Sequence, residues 1–147
     1  MAVTINNLYQ LTNTNNAWTY TFTGSTVIAP GQYFTVQIGT NGAFPFVPTF
    51  VAFSTGTDRL QNTSSTLTLK FNGLNVDAVT YGNGAPWPGA LANGGGSSVS
   101  LNDVNADNNN GANWGACYTG GTPNAANINC AATTYYTVSS GNLTDAI

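Results

Sequence analysis

An all-β sandwich of about seven short strands is the fold class this chain predicts. Three observations carry that reading. Apolar and polar residues alternate over short runs, as they do along half-buried strands. Glycine, asparagine and proline interrupt those runs roughly every 8–15 residues, the rhythm of strands joined by turns. No segment sustains the apolar period of a helix.

Taken in order, Val3, Ile5, Leu8 and Leu11 mark an opening strand or a pair of short ones. The run Trp18-Thr-Tyr-Thr-Phe22 alternates with period two and predicts a strand with its three aromatics on one face. Ile28-Ala-Pro-Gly-Gln32 reads as a turn, because Pro30 presets φ and Gly31 can adopt positive φ. A strand should follow from Tyr33 to Gly39, with Phe34, Val36 and Ile38 on one side. Phe44 to Pro48 is an aromatic, proline-rich connection, and Phe50 to Phe53 a short apolar strand.

The clearest local signal comes next. Leu67, Leu69 and Phe71 alternate, Asn72-Gly73 follows, and Leu74, Val76, Ala78 and Thr80 alternate back. Asn-Gly between alternating runs marks a hairpin, since a type I′ turn needs positive φ at both central positions. Asp77 is then expected to face away from the apolar side, with Lys70 across the hairpin as its partner. Such a surface pair contributes about 0–1 kcal/mol. Ser97 to Leu101 supplies the last good strand, with Val99 and Leu101 inward. A glycine-rich loop from Gly82 to Gly96 holds Pro86-Trp87-Pro88. Thr133 to Val138 resembles a new strand, so the expected division is a sandwich domain over residues 1–127 and a linker or following module over 128–147.

Composition narrows the function. The chain has 147 residues, 41% of them hydrophobic, enough to bury roughly 70% of the unfolded surface in one domain. Only 5% of residues are charged, and histidine and glutamate are both absent. Acid–base catalysis near neutral pH usually relies on His, Glu or a tuned Lys. No Ser-His-Asp triad and no His-ligated zinc can be built from this set. No paired carboxylates stand ready for glycoside cleavage, Asp103 and Asp107 being the only near pair, in a loop full of amides. Two cations in the whole chain make nucleic acid an improbable partner, because phosphate binding needs clustered Lys and Arg. No apolar run is long enough for a spanning helix, so membrane insertion is not expected.

Three features carry candidate chemistry. Cys117 and Cys130 lie thirteen residues apart in a Gly/Asn/Ala-rich stretch, a spacing suited to a disulfide across a surface loop. Such a bridge would contribute about 3 kcal/mol in the loop-entropy model; two free thiols in a reducing compartment are the alternative. Asp103, Asn105 and Asp107 place oxygen side chains at alternate positions, as calcium loops do. Asn108 and Trp114 stand where a calcium hand needs glycine and a bidentate glutamate, so an Asx-rich turn bonding its own backbone is favoured, with no cofactor required. Trp87 is a candidate stacking platform for a sugar ring, or else folds back over the end of the sandwich, which is the favoured reading. Trp114 is expected in the core.

Several segments, in order, resemble the lamin tail domain, an immunoglobulin-like antiparallel β-sandwich found in nuclear lamins and in bacterial surface and secreted proteins. They are Ile28-Ala-Pro-Gly-Gln-Tyr-Phe34, Leu67-Thr-Leu-Lys-Phe-Asn-Gly73, Val76-Asp-Ala-Val-Thr-Tyr-Gly82, Ser97-Ser-Val-Ser-Leu101, Asp107-Asn-Asn109 with Asn113-Trp114, and Gly121-Thr-Pro123. Family members open with strands bearing acidic residues, and this chain enters after them, near Val3. The resemblance implies no catalysis and no defined ligand. It implies a secreted or cell-surface setting, which the low charge and the even cysteine count also favour.

The resulting expectation is a non-catalytic interaction or spacer module of a larger exported bacterial protein, contacting protein or cell-surface polysaccharide. A carbohydrate-binding module using exposed aromatics, with structural calcium, is the alternative. The missing opening strands predict a bare sheet edge open to self-association, or filled by Val3–Leu11 or Thr133–Val138.

Overall fold

In the computed structural model the described residues are 1–15, 17–38, 50–51, 60–93, 96–116 and 121–127. Among them the chain is all-β, in several small sheets. A four-stranded antiparallel sheet dominates, in the order β3-β2-β7-β8. Its strands are β2 (Tyr9–Asn13), β3 (Trp18–Thr21), β7 (Ser64–Phe71) and β8 (Leu74–Gly82). Two antiparallel ribbons accompany it: β1 (Val3–Ile5) with β4 (Thr26–Ile28), and β9 (Val99–Leu101) with β10 (Trp114–Ala116). A third pair, β5 (Val36–Gln37) with β6 (Phe50–Val51), is parallel.

Ten described strands exceed the expected seven because the opening run is two strands and the ribbons are short. The single parallel pair departs from the wholly antiparallel expectation. Among the described residues helix is confined to α1 (Gly89–Ala92) and one 3₁₀ turn, Gly111–Asn113. No helix among the described residues is long and apolar enough to cross a membrane.

Register explains which face of the main sheet turns inward. Leu11 lies opposite Tyr20 on one side and Leu69 on the other, and Asn13 opposite Trp18 and Leu67. Leu67 in turn faces Val79, and Ser65 faces Tyr81. One apolar face therefore runs across all four strands, with Trp18 and Phe22 buried at one side. Phe22 extends the ladder by donating its N–H to Tyr9 O, and its ring meets Tyr20 edge-on at 5.1 Å and Phe34 at 6.0 Å. Inside this face the buried Ser65 hydroxyl donates to Asn13 Oδ1 at 3.0 Å. Threonines populate the opposite face, where Thr66 and Thr80 share a hydrogen bond and Gln10 donates to Thr21.

The hairpin forms as its turn dictates: Asn72 and Gly73 have φ of 49° and 79°, the type I′ signature. Its inward residues differ from the sequence expectation. A bulge between Leu69 and Lys70 pairs Leu69 with Asp77 and Lys70 with Asn75, leaving Val76 as the extra residue. One extra residue reverses the alternation beyond it. Beyond it Val79 and Tyr81 take the inward face in place of Ala78 and Thr80. Val76, the extra residue, is 58% exposed, and Leu74, opposite Phe71 beside the turn, is 74% exposed, although both were expected inward. Asp77 lies opposite Leu69, away from Lys70, and its Oδ2 accepts from Asn108 Nδ2 at 2.8 Å.

The opening residues pair within the chain. Val3–Ile5 pairs with β4, and Tyr9–Asn13 lies inside the main sheet between β3 and β7. Thr133–Val138, the Cys117–Cys130 pair and the proposed linker over 128–147 lie outside the described residues.

Candidate functional site at the edge of the main sheet

Among the described strands β8 is at an edge, and an edge strand presents unpaired N–H and C=O groups. Here the loop from Asp103 to Asn113 lies against it. Asn109 makes both contacts that a neighbouring strand would make: its Oδ1 accepts from Thr80 N at 2.8 Å, and its Nδ2 donates to Ala78 O at 2.7 Å. One carboxamide thus stands in for a residue of backbone, since an amide carries the same donor and acceptor as a peptide unit. Next to it, Asn108 donates to Asp77, and Trp114 Nε1 donates back to Asn108 O at 2.9 Å.

The loop is shaped by its own side chains. Asp103 Oδ1 accepts from the N–H of Asn105 at 2.9 Å and from Asn105 Nδ2 at 3.1 Å. Asp107 Oδ1 accepts from the Asn109 N–H at 2.9 Å. Asn110 caps the 3₁₀ turn by accepting from the Ala112 N–H, and Asn113 Nδ2 reaches back to Asp107 O. These are consecutive Asx turns, in which a short acceptor side chain takes the amide two residues on. The three candidate calcium residues, Asp103, Asn105 and Asp107, are all exposed, and the amide of Asn105 presents its N–H₂ to the Asp103 carboxylate. Among the described residues no group of three or more Cys, Asp or Glu side chains gathers where a metal ion could sit.

Trp87 meets the same loop from the other side. Its ring lies 5.5 Å from that of Trp114, tilted by 38°. Gly111 is buried against it: a Cβ there would stand 2.8 Å from two Trp87 ring carbons and 2.9 Å from its backbone nitrogen. Only glycine admits that approach without displacement. Trp87 is half-buried, held in the loop by its N–H to Gly84 O and followed by α1, where Asn93 N bonds to Gly89 O. The side chains of Asn62 and Asn93 are hydrogen-bonded to each other nearby.

Below Trp87 lies an apolar cavity of about 310 Å³, walled by Leu67, Val79, Tyr81, Val99 and Trp114 among others. It separates the inner face of β7–β8 from the β9–β10 ribbon. Val99 lines it while remaining 42% exposed; Ser100, on the ribbon's other face, is the more deeply buried residue. The polar ends of the aromatic wall are engaged outside the cavity: Tyr81 donates its hydroxyl to Gln61 O at 2.7 Å, as Trp114 does its N–H to Asn108. Burial pushes the Tyr81 phenol above its ordinary value, with hydrogen bonds to Ser65 and the Gln61 backbone opposing the shift.

The edge arrangement was only partly visible in the sequence. Asx turns are local, so Asp-x-Asn spacing signals them; the Asn109 clip joins residues 31 positions apart and carries no local signal. Compared with family models, curated proteins and solved structures, the chain matches none. The likeness to the lamin tail domain rests on its sequence segments.

Proposed function

We propose that this chain is a non-catalytic interaction or spacer module of a larger exported bacterial surface protein, of the lamin-tail, immunoglobulin-like kind. Its partner is a protein or a cell-surface polysaccharide. The observation that supports the reading best is the use made of the described carboxylates. Asp77, Asp103 and Asp107 each accept hydrogen bonds from amides of the β8 edge and its covering loop. Groups held as structural acceptors are poorly placed to trade protons with a substrate. The low formal charge fits a module whose contacts are made by amides, hydroxyls and aromatic rings.

Incubating the chain with soluble and insoluble polysaccharides, while following both sedimentation and released reducing ends, tests this reading. Retention on at least one surface polymer or surface protein without release is expected. Release of reducing ends that disappears in Asp103→Asn or Asp107→Asn would overturn it.

A further inference from the structure

A second cleft lies away from the β8 edge, where β4, the turn over residues 29–32 and residues 121–127 meet. We propose that it is a binding site for a neutral saccharide, with the Tyr33 ring as its stacking platform; this rests on the reading of the chain as an interaction module.

The cleft holds about 350 Å³, at the lower end for small-molecule sites and enough for the end unit of a glycan. Its lining mixes two kinds of group. Tyr33, Phe34 and Ile28 supply apolar surface, and Thr26, Gln32 and Asn124 supply hydroxyl and amide groups. None of the described lining residues is charged. Among the described lining residues a phosphate, sulfate or carboxylate ligand would find no cation to pair with. A purely apolar ligand would cover the Gln32 Nε2 hydrogens and the Thr26 hydroxyl without giving them partners. A sugar ring has both a C–H face and a rim of uncharged hydroxyls, and so matches both kinds of surface.

The walls are fixed before any ligand arrives. Gln32 clamps the turn twice: its N–H donates to Ala29 O at 3.0 Å, and its Oε1 accepts from the Ala29 N–H at 2.9 Å. With Oε1 held, the Nε2 hydrogens are that carboxamide's remaining donors. On the far wall the Asn124 N–H donates to Thr35 Oγ1 at 2.9 Å, tying together segments 89 residues apart. Preorganised polar groups lose less on binding than mobile ones. Tyr33 itself is 43% exposed, so part of its surface is open to a ligand. The cavity under Trp87 offers a contrast, because its aromatic polar ends already bond within the protein and it would leave sugar hydroxyls unpaired.

Calorimetric titration of the full chain with neutral hexose and N-acetylhexosamine oligosaccharides, beside sialylated and sulfated ones, tests the site. At least one neutral oligosaccharide should bind and the anionic ones should not. Tyr33→Ala should weaken binding by about tenfold, equivalent to roughly 1.4 kcal/mol. Tyr33→Phe should retain most of it, Thr26→Val should weaken it several-fold within an intact strand, and Trp87→Phe should leave it unchanged. Binding that survives Tyr33→Ala and Thr26→Val but falls in Trp87→Phe overturns the site while leaving the interaction module standing. Absence of binding by any neutral saccharide overturns the ligand class. Release of reducing ends in the sedimentation experiment sinks the underlying reading instead, so the two failures are distinguishable.

Discussion

The β7–β8 hairpin and the Asp103–Asn113 loop lie side by side, and different chemistry holds each. The hairpin is a backbone ladder closed by a turn whose two positive-φ residues are adjacent in sequence. The loop has no ladder of its own; carboxylates and carboxamides take its amides, and one carboxamide fastens it to β8. The hairpin should therefore answer to backbone strain, and the loop to the loss of single side-chain atoms. An edge strand can be protected by one side chain of the right length, where other sheets use charge, proline or a covering element.

The sharpest break in this comparison would come from Gly111→Ala, where the loop meets Trp87. Overpacking there should cost about 2–3 kcal/mol, lowering the melting temperature by about 6–10 °C. A neutral result would mean that loop and tryptophan are not closely packed, and the loop would then hang on Asn109 alone. Gly73→Ala probes the hairpin. Forcing a Cβ into φ of 79° should cost about 1–2 kcal/mol, read in denaturant unfolding, with no change in Trp87 emission.

Next in size is Asn109→Ala, expected to cost about 1 kcal/mol because its two partners regain water. Its distinctive mark is local: hydrogen exchange at the Thr80 amide should accelerate while the Leu67 amide stays protected. Asn109→Asp, which keeps the acceptor and loses the donor, should fall between. The bared edge should also raise self-association in light scattering across a concentration series. Unchanged Thr80 exchange would remove the clip from the account.

Tyr81→Phe should change little at neutral pH and more in alkali. The fold favours the neutral phenol, so its contribution is full below about pH 10, where the unfolded chain's tyrosine ionises, and is lost as pH climbs through the higher folded value. The variant's melting temperature should decline less steeply above that pH than the parent's. The smallest effect belongs to calcium. Millimolar calcium should move the melting temperature by less than about 1 °C, because the Asx turns already hold the loop. A rise of about 5 °C, lost in Asp103→Ala, would make the loop a cation site.

What the sequence disclosed follows the same division. Asn72-Gly73, the Trp18–Phe22 alternation and the Pro30-Gly31 turn are local patterns, and each forms where it was expected, with Gly31 at φ of 77°. The bulge at Leu69/Lys70 has no residue signature here, yet it decides that Val79 and Tyr81, rather than Ala78 and Thr80, share the face of Leu67. The proline flanks of Trp87 are visible in the sequence, but its place is set by its contacts with Gly111 and Trp114. Tyr33 is legible in the sequence only as the start of an expected strand, because its setting depends on Asn124 arriving from the far end of the described chain.

The neutrality of the Asn109 clip has a consequence for where such a fold can work. Attraction between opposite charges reaches across ~30 Å in 0.01 M salt and only ~3 Å in 1 M salt. A sheet edge shielded by ion pairs would therefore loosen as ionic strength rose. The bonds from Asn109 to Thr80 and Ala78 join neutral groups, as does the one from Ser65 to Asn13. Dilute water and brine leave them equally intact.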